Sequence, residues 1–217
     1  MKKYQFNLKK LFEIMNKKKV YLLQIFTNLI FQILVTFVIF YKVNYDIINN
    51  NNIIFIMLIL FQFGIIFIFS LNIFPYYINF LLMTLFSVIS GLIFIRLKKY
   101  VSPEIIKTAI FGTLGIFVSM FIFALILFAF GIYLDYRVGL FLLFLLLLLI
   151  IIRIVVYIMN EYHSTHKILA IISVIIFSIF IVYDTNNILH NDSTDPIGAS
   201  MSYYLDIINI FTNLVSN

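Results

Sequence analysis

Residues 138–159 read VGLFLLFLLLLLIIIRIVVYIM, a run in which Arg153 is the single charged side chain. A transmembrane helix needs about 20 consecutive, mainly apolar residues, and this run meets that length. The rest of the chain repeats the pattern, since 64% of its 217 residues are hydrophobic and only 11% are charged. A soluble domain has too little interior for so much apolar surface. The sequence therefore predicts an all-α integral membrane protein that crosses the bilayer several times.

Polar breaks divide the hydrophobic sequence into seven predicted transmembrane helices. Their bounds are Val20–Tyr41, Ile53–Leu71, Tyr77–Leu97, Ile105–Phe128, Val138–Met159, Lys167–Leu189 and Ile197–Val215. The connections are short, so consecutive helices are expected to run antiparallel. Tyrosines gather near the predicted ends, as an aromatic belt at the membrane surface requires. We predict a single seven-helix transmembrane domain over residues 20–217.

The net charge of +6 belongs to the first 19 residues, which hold seven lysines and Glu13, whereas the remaining residues sum to zero. Lysines next to a first transmembrane helix favour a cytoplasmic location for that end and attract anionic membrane lipid. No basic surface remains once these lysines are assigned, so nucleic acid is not an expected partner. Residues 1–19 are predicted to form a basic cytoplasmic N-terminal tail.

Ionisable groups inside apolar helices are costly, and they therefore mark candidate functional sites. Arg153 lies in the fifth predicted helix, Asp184 in the sixth and Asp206 in the seventh. Two interpretations of Arg153 stay open. It is either the counter-ion of a buried carboxylate or a side chain that extends to the nearby membrane surface.

The turn between the last two predicted helices sets the relative depth of the two aspartates. Asp195 suits a helix N-cap, and Pro196 suits the first helical position. Asp184 lies 11 residues before Asp195 and Asp206 lies 11 residues after it, so an antiparallel pair brings both carboxyl groups to a similar depth. At a separation of about 4 Å and an effective dielectric near 20, ionising both groups costs roughly 4 kcal/mol. Such a pair shares one proton near neutral pH. The alternative is that each aspartate separately extends to the membrane surface or caps a helix.

Four segments of the last two predicted helices carry a family resemblance. They are Phe177-Ser178, Tyr183-Asp-Thr-Asn186, Asp195-Pro-Ile-Gly-Ala-Ser200 and Tyr204-Leu-Asp-Ile-Ile-Asn-Ile-Phe211. Together they resemble the signature of the Bax inhibitor-1 family, in particular its bacterial-type calcium leak branch. A weaker similarity extends back through Ser102-Pro-Glu-Ile-Ile-Lys-Thr-Ala109.

The resemblance implies a seven-helix bundle with the C-terminal helix at its centre, acting as a pH-sensitive calcium leak or ion channel. It also implies regulation of apoptosis in eukaryotes. The family's paired aspartates correspond to Asp184 and Asp206. The family's basic partner on the second helix has no counterpart here, because Ile53–Leu71 contains neither Arg nor Lys. Either Arg153 replaces that partner or the pair has no fixed counter-ion.

Calcium and protons are then the expected ligands, with calcium as a permeant ion. Tight calcium binding needs six to eight oxygens, and two carboxylates with Asn209 and Asp195 as auxiliary polar groups offer fewer. We therefore expect ion transport without a tightly bound metal, cofactor or enzymatic activity. The host membrane is expected to be the plasma membrane in a bacterium, or an endoplasmic reticulum or Golgi type membrane in a eukaryote or virus.

Two other functions use the same carboxyl pair. A proton-coupled transporter of another solute also needs buried carboxylates. An intramembrane aspartyl protease would use two aspartates to activate water. The protease is the weaker alternative, because Asp206 follows Tyr204-Leu205 instead of a Gly-x-Gly motif and no Pro-Ala-Leu follows it.

Overall fold

In this computed structural model, residues 6–44, 52–71, 73–158, 164–192 and 195–216 are described. These residues form helices and short connections, without strands. The helices are α1 Leu8–Lys17, α2 Lys19–Lys42, α3 Asn52–Ser70, α4 Tyr76–Phe94, α5 Leu97–Tyr100, α6 Pro103–Ala129, α7 Tyr136–Ile158, α8 Ser164–His190 and α9 Pro196–Val215.

The structure confirms a multi-pass arrangement of apolar helices. Within the described residues, six helical segments are long and apolar enough to cross a membrane. They are Lys19–Lys42, Asn52–Ser70, Tyr76–Tyr100, Pro103–Ala129, Tyr136–Val156 and Thr165–His190. They follow the first six predicted helices closely, although Met159, the predicted end of the fifth, lies outside the described residues.

Helix α9 coincides with the seventh predicted helix but is not one of these six. Asp206, Asn209 and Asn213 make it more polar than the others. None of its residues is exposed, which suits a helix that packs against protein instead of lipid. The seventh crossing and the central position of this helix stay predictions.

The chain groups into two compact units. One combines Met1–Val20, Glu104–Ser193 and Leu205–Asn217, and the other combines Tyr21–Pro103 and Thr194–Tyr204, so far as these residues are described. We call them the first and the second unit. The single domain predicted for residues 20–217 is not tested by this grouping and stays a prediction.

Helix α1 lies within residues 1–19, for which only a basic tail was predicted. Its N-cap is Asn7, whose side chain accepts a hydrogen bond from the Lys10 backbone amide at 3.0 Å. Leu11 packs with Phe128 and Leu189 in the core of the first unit. The spacing of Leu11, Ile14, Met15 and Lys18, which recur on one helical face, is the signal that would have predicted this helix.

Lys18 anchors the end of α1 to the end of α8. Only 7% of its surface is exposed, and its ammonium group donates to the backbone oxygens of Ile188 and Asn191. Ile188 lies in the last turn of α8 and Asn191 directly follows this helix, so the ammonium group lies at its C-terminal end, where a cation is favoured. Burial lowers the pKa of Lys18 from its usual value, and the nearby Asp192 carboxylate opposes that change.

In the second unit, α2 and α4 approach closely at Gly91. A Cβ atom at this position would lie 2.6 Å from the Thr36 backbone oxygen and 2.8 Å from the Ile39 Cβ. Both distances are too short for real side chains, so only glycine permits this contact. Packing through small residues is a general means of bringing transmembrane helices together.

Candidate functional site

The turn before α9 is built as the sequence predicted. Pro196 is the first residue of α9. The Asp195 carboxylate accepts hydrogen bonds from the backbone amides of Ile197 at 3.1 Å and Gly198 at 3.0 Å. Asp195 therefore serves as the N-cap, which satisfies amides that would otherwise lack partners. Asp195, which was also predicted as an auxiliary polar group of the site, thus has a structural role in this turn.

Asp184 and Asp206 belong to the same unit and influence one another electrostatically. Asp184 lies on α8, Asp206 lies on α9, and the charge of Asp184 acts on the Asp206 carboxyl group. Asp206 is only 4% exposed, whereas Asp184 is partly exposed. The Oδ2 atom of Asp206 is buried and has no hydrogen-bond partner among the described residues. A carboxyl oxygen in this state is suited to a proton or to a cation.

The residues beside Asp184 fix the orientation of α8. Asn186 is fully buried, accepts a hydrogen bond from the Leu134 amide and donates one to the Ile132 carbonyl, each at 2.9 Å. The ring of Tyr183 lies against Gly139 of α7, where an added Cβ would meet it at 2.6 Å. These contacts fix the rotation of α8 about its own axis, relative to α7 and to the loop that precedes α7. They thereby position Asp184 without touching its carboxyl group.

Arg153 does not form an ion pair with either aspartate. Its guanidinium group donates to the Ser173 hydroxyl at 2.7 Å and to the side-chain oxygen of Asn213. The ion pairs found in the described part of the chain join Lys17 and Lys18 to Asp192. A direct counter-ion contact is therefore not formed in this structure, and the arginine instead links α7 to both α8 and α9.

Three polar residues of α9, Asp206, Asn209 and Asn213, lie on one face of the helix. Asn209 follows Asp206 by three residues and Asn213 follows it by seven, a spacing that places all three on the same side of the helix. Asn209 donates to the Leu205 carbonyl at 2.7 Å, and Asn213 donates to the Asn209 carbonyl at 2.7 Å. Asn213 and Ser173 were not predicted from the sequence as partners of Arg153. The spacing of Asn213 from Asp206 was the available signal.

The second unit contains a different polar cluster, made of uncharged side chains. Thr36 donates to backbone oxygens, including that of Ser87 at 3.1 Å, and its hydroxyl also contacts the Tyr204 hydroxyl. Because the single proton of Thr36 is used on a carbonyl oxygen, Tyr204 is the donor in their contact. Gln32 donates to Thr84 at 3.1 Å. We call these five residues the neutral cluster.

A preformed metal centre has no support in the described residues. They contain no group of three or more histidine, cysteine, aspartate or glutamate side chains that could hold a metal ion. Two carboxyl groups with one partly satisfied amide at Asn209 provide few oxygens for calcium. Carboxyl groups such as those of Asp184 and Asp206 can bind a proton or attract a cation.

These features define a multi-pass helical membrane protein with an interacting carboxyl pair on its last two helices. The family model described as inhibitor of apoptosis-promoting Bax1 matches residues 17–216. The chain belongs to this Bax inhibitor family, which confirms the resemblance found in the sequence. No curated protein matches the chain.

Proposed function

We propose that this protein is a pH-sensitive calcium leak channel of the Bax inhibitor-1 type, gated by protonation of Asp184 and Asp206. The observation that supports this proposal best is the pair itself. Two carboxyl groups on adjacent helices of one unit interact electrostatically, and a buried oxygen of Asp206 has no hydrogen-bond partner among the described residues. Membership of the Bax inhibitor family supports the same choice.

The proposed gate follows from the charge states of the pair. With one proton shared, a carboxyl group can donate a strong hydrogen bond to its neighbouring carboxylate, which holds α8 and α9 together. With both groups ionised, the carboxylates repel one another and attract a cation. For two carboxylates about 4 Å apart in an effective dielectric near 20, this repulsion would amount to roughly 4 kcal/mol. That energy is large enough to shift a two-state equilibrium almost completely.

The small number of ligands favours calcium passage over calcium storage. Conduction requires that an ion be attracted to the pathway but not held there. A site of two carboxylates meets this requirement better than a complete shell of six to eight oxygens. A leak of this kind would lower the calcium gradient across the host membrane. Through this effect we propose an influence on calcium homeostasis and cell death.

Calcium flux into proteoliposomes tests the proposal. Purified wild-type protein is compared with the double variant Asp184→Asn/Asp206→Asn between pH 5 and pH 8, with Asp192→Asn as a matched control. Asp192 is an exposed aspartate beyond the end of α8, so its loss removes one carboxylate without touching the pair. We expect flux that varies with pH in the wild type and the control, and flux independent of pH in the double variant.

Two results would contradict the proposal. Folded wild-type protein that carries no calcium above empty liposomes at any pH would rule out the leak. Saturable flux of another solute, coupled to proton movement, would then identify the alternative transporter. Calcium flux whose pH dependence survives in the double variant would instead rule out gating by this pair while leaving the leak in place.

A further inference from the structure

Helix α1 has two faces of different character. Its inner face carries Leu11, which is 8% exposed and packs against Phe128 and Leu189. Its outer face carries Leu8 and Phe12, which are 50% and 67% exposed, together with the exposed Lys9. The inner face is thus occupied by protein, whereas the outer face presents apolar and cationic groups together.

The contacts of α1 place it at the level of the membrane surface. The backbone amide of Asn7 donates to the Ala129 carbonyl at 2.8 Å, and Ala129 is the last residue of a membrane-spanning segment. At the other end of α1, Lys18 binds the Ile188 carbonyl close to the end of α8. Since both partners lie at the ends of apolar helices, α1 lies where the lipid headgroups begin.

The charge of this segment suits an anionic surface. Exposed lysines lie in the first turn of α1, at its end and at the first residue of α2, with Glu13 as the one acidic residue of α1. The lysines are Lys9, Lys10, Lys17 and Lys19. A helix in the plane of the membrane surface typically combines such lysines with a phenylalanine or leucine that enters the boundary of the acyl chains.

We propose that the outer face of α1, formed by Leu8, Lys9 and Phe12, is together with Lys19 at the start of α2 a binding surface for anionic phospholipid. The lysines contact the phosphate-bearing headgroups, and the apolar side chains enter the upper part of the bilayer. Each lysine close to an anionic membrane strengthens binding about fivefold. Bound lipid holds α1 in its docked position, and docked α1 keeps Lys18 on the end of the helix that carries Asp184.

Hydrogen exchange of the full chain in lipid nanodiscs tests this surface. Backbone exchange of residues 8–17 is measured in nanodiscs of phosphatidylcholine alone and in nanodiscs that also contain about 30% phosphatidylglycerol. We expect exchange to be several-fold slower with the anionic lipid. In the double variant Lys9→Gln/Lys19→Gln this difference should fall to less than twofold. The matched control Lys98→Gln/Lys99→Gln removes two exposed lysines of α5 and should behave as wild type.

Wild-type protein alone provides a second measurement if the variant does not fold. Protection by the anionic lipid should decrease strongly at about 0.5 M salt, because salt screens exposed charges. Equal exchange in the two lipids, or protection that persists in the double variant, would overturn the proposal. So would equal protection by soluble phosphate in phosphatidylcholine nanodiscs, because the ligand would then be a free anion and not a lipid surface.

Discussion

The two units differ in the kind of polar side chains that their apolar helices contain. The first unit holds charged side chains within the apolar runs of its helices, among them Arg153, Asp184 and Asp206. The neutral cluster of the second unit instead joins hydroxyl, amide and carbonyl groups, as in the contacts of Thr36, while the Oε1 atom of Gln32 has no partner among the described residues. Neutral groups keep the same charge across physiological pH, whereas carboxyl groups do not. We therefore expect pH sensitivity in the first unit and constant packing in the second.

The largest expected effect is on pH dependence. Asp206→Asn imitates a carboxyl group that cannot ionise, so calcium flux should lose most of its variation between pH 5 and pH 8. Tyr204→Phe, two residues earlier on the same helix, removes a hydroxyl of the neutral cluster and should leave that variation intact. Proteoliposome flux measures both. A pH response lost equally in both variants would mean that the two units do not differ in the way we describe.

Gly91 provides the strongest test of packing in the second unit. Gly91→Ala forces α2 and α4 apart, because the new Cβ meets the Thr36 backbone oxygen at 2.6 Å. Overpacking of this kind typically costs about 1–3 kcal/mol, so the thermal midpoint in detergent should fall by several degrees. Gly64→Ala is the matched control, since no atom lies within 4 Å of its added Cβ. If the two variants have equal midpoints, the close approach at Gly91 is refuted.

Substitution of Arg153 tests whether its charge affects Asp184 and Asp206 without direct contact. Its partner Asn213 lies seven residues after Asp206, which is about 10 Å along the helix. At that distance and an effective dielectric near 20, the guanidinium charge contributes about 1.5 kcal/mol. Arg153→Leu should therefore move the midpoint of the flux response by about one unit towards higher pH. Arg137→Leu, which changes an exposed arginine at the start of α7, is the control. An unchanged midpoint would assign Arg153 a purely structural role.

The smallest effect concerns the anchor of α1. Lys18→Met removes the donor for the Ile188 and Asn191 carbonyls and should weaken docking of α1 by about 1–2 kcal/mol. Backbone hydrogen exchange over residues 8–17 should become faster, while exchange in α2 stays the same. Lys99→Met removes an exposed lysine of α5 instead and serves as the control. Exchange that is equally fast in both variants would show that Lys18 has no special role as an anchor.

Much of the fold could be predicted from sequence because lipid imposes a length on each helix. The bounds of α2, α6 and α8 follow the predicted helices to within a few residues, and the cap at Asp195 was predicted from residue type and position. The predicted count of seven crossings is not confirmed, since six of the described helical segments are long and apolar enough to cross a membrane. Helix α9 carries the polar residues of the candidate site, and these same residues weaken its hydrophobic signal.

The sequence predicted the charged residues of the candidate site but not the neutral ones. Asp184 and Asp206 were found because a charge in an apolar run is conspicuous in sequence. Asn213 and Ser173 were not found, because neutral polar residues are common in transmembrane helices and do not identify their partners. Helix α1 was obscured by the lysines around it, although its apolar spacing was present.

The sequence by itself determined the membrane class, the positions of the apolar helices, the cap at Asp195, the family and the choice of Asp184 and Asp206 as candidate residues. Each of these depends on local composition, on spacing along the chain or on a motif. Only the tertiary structure decided that Arg153 binds Asn213 instead of a carboxylate, that Lys18 caps α8 and that Thr36 meets Tyr204. These contacts join residues 60, 170 and 168 positions apart, respectively. Partners so distant are selected by how whole helices pack and rotate against one another, which no local pattern records.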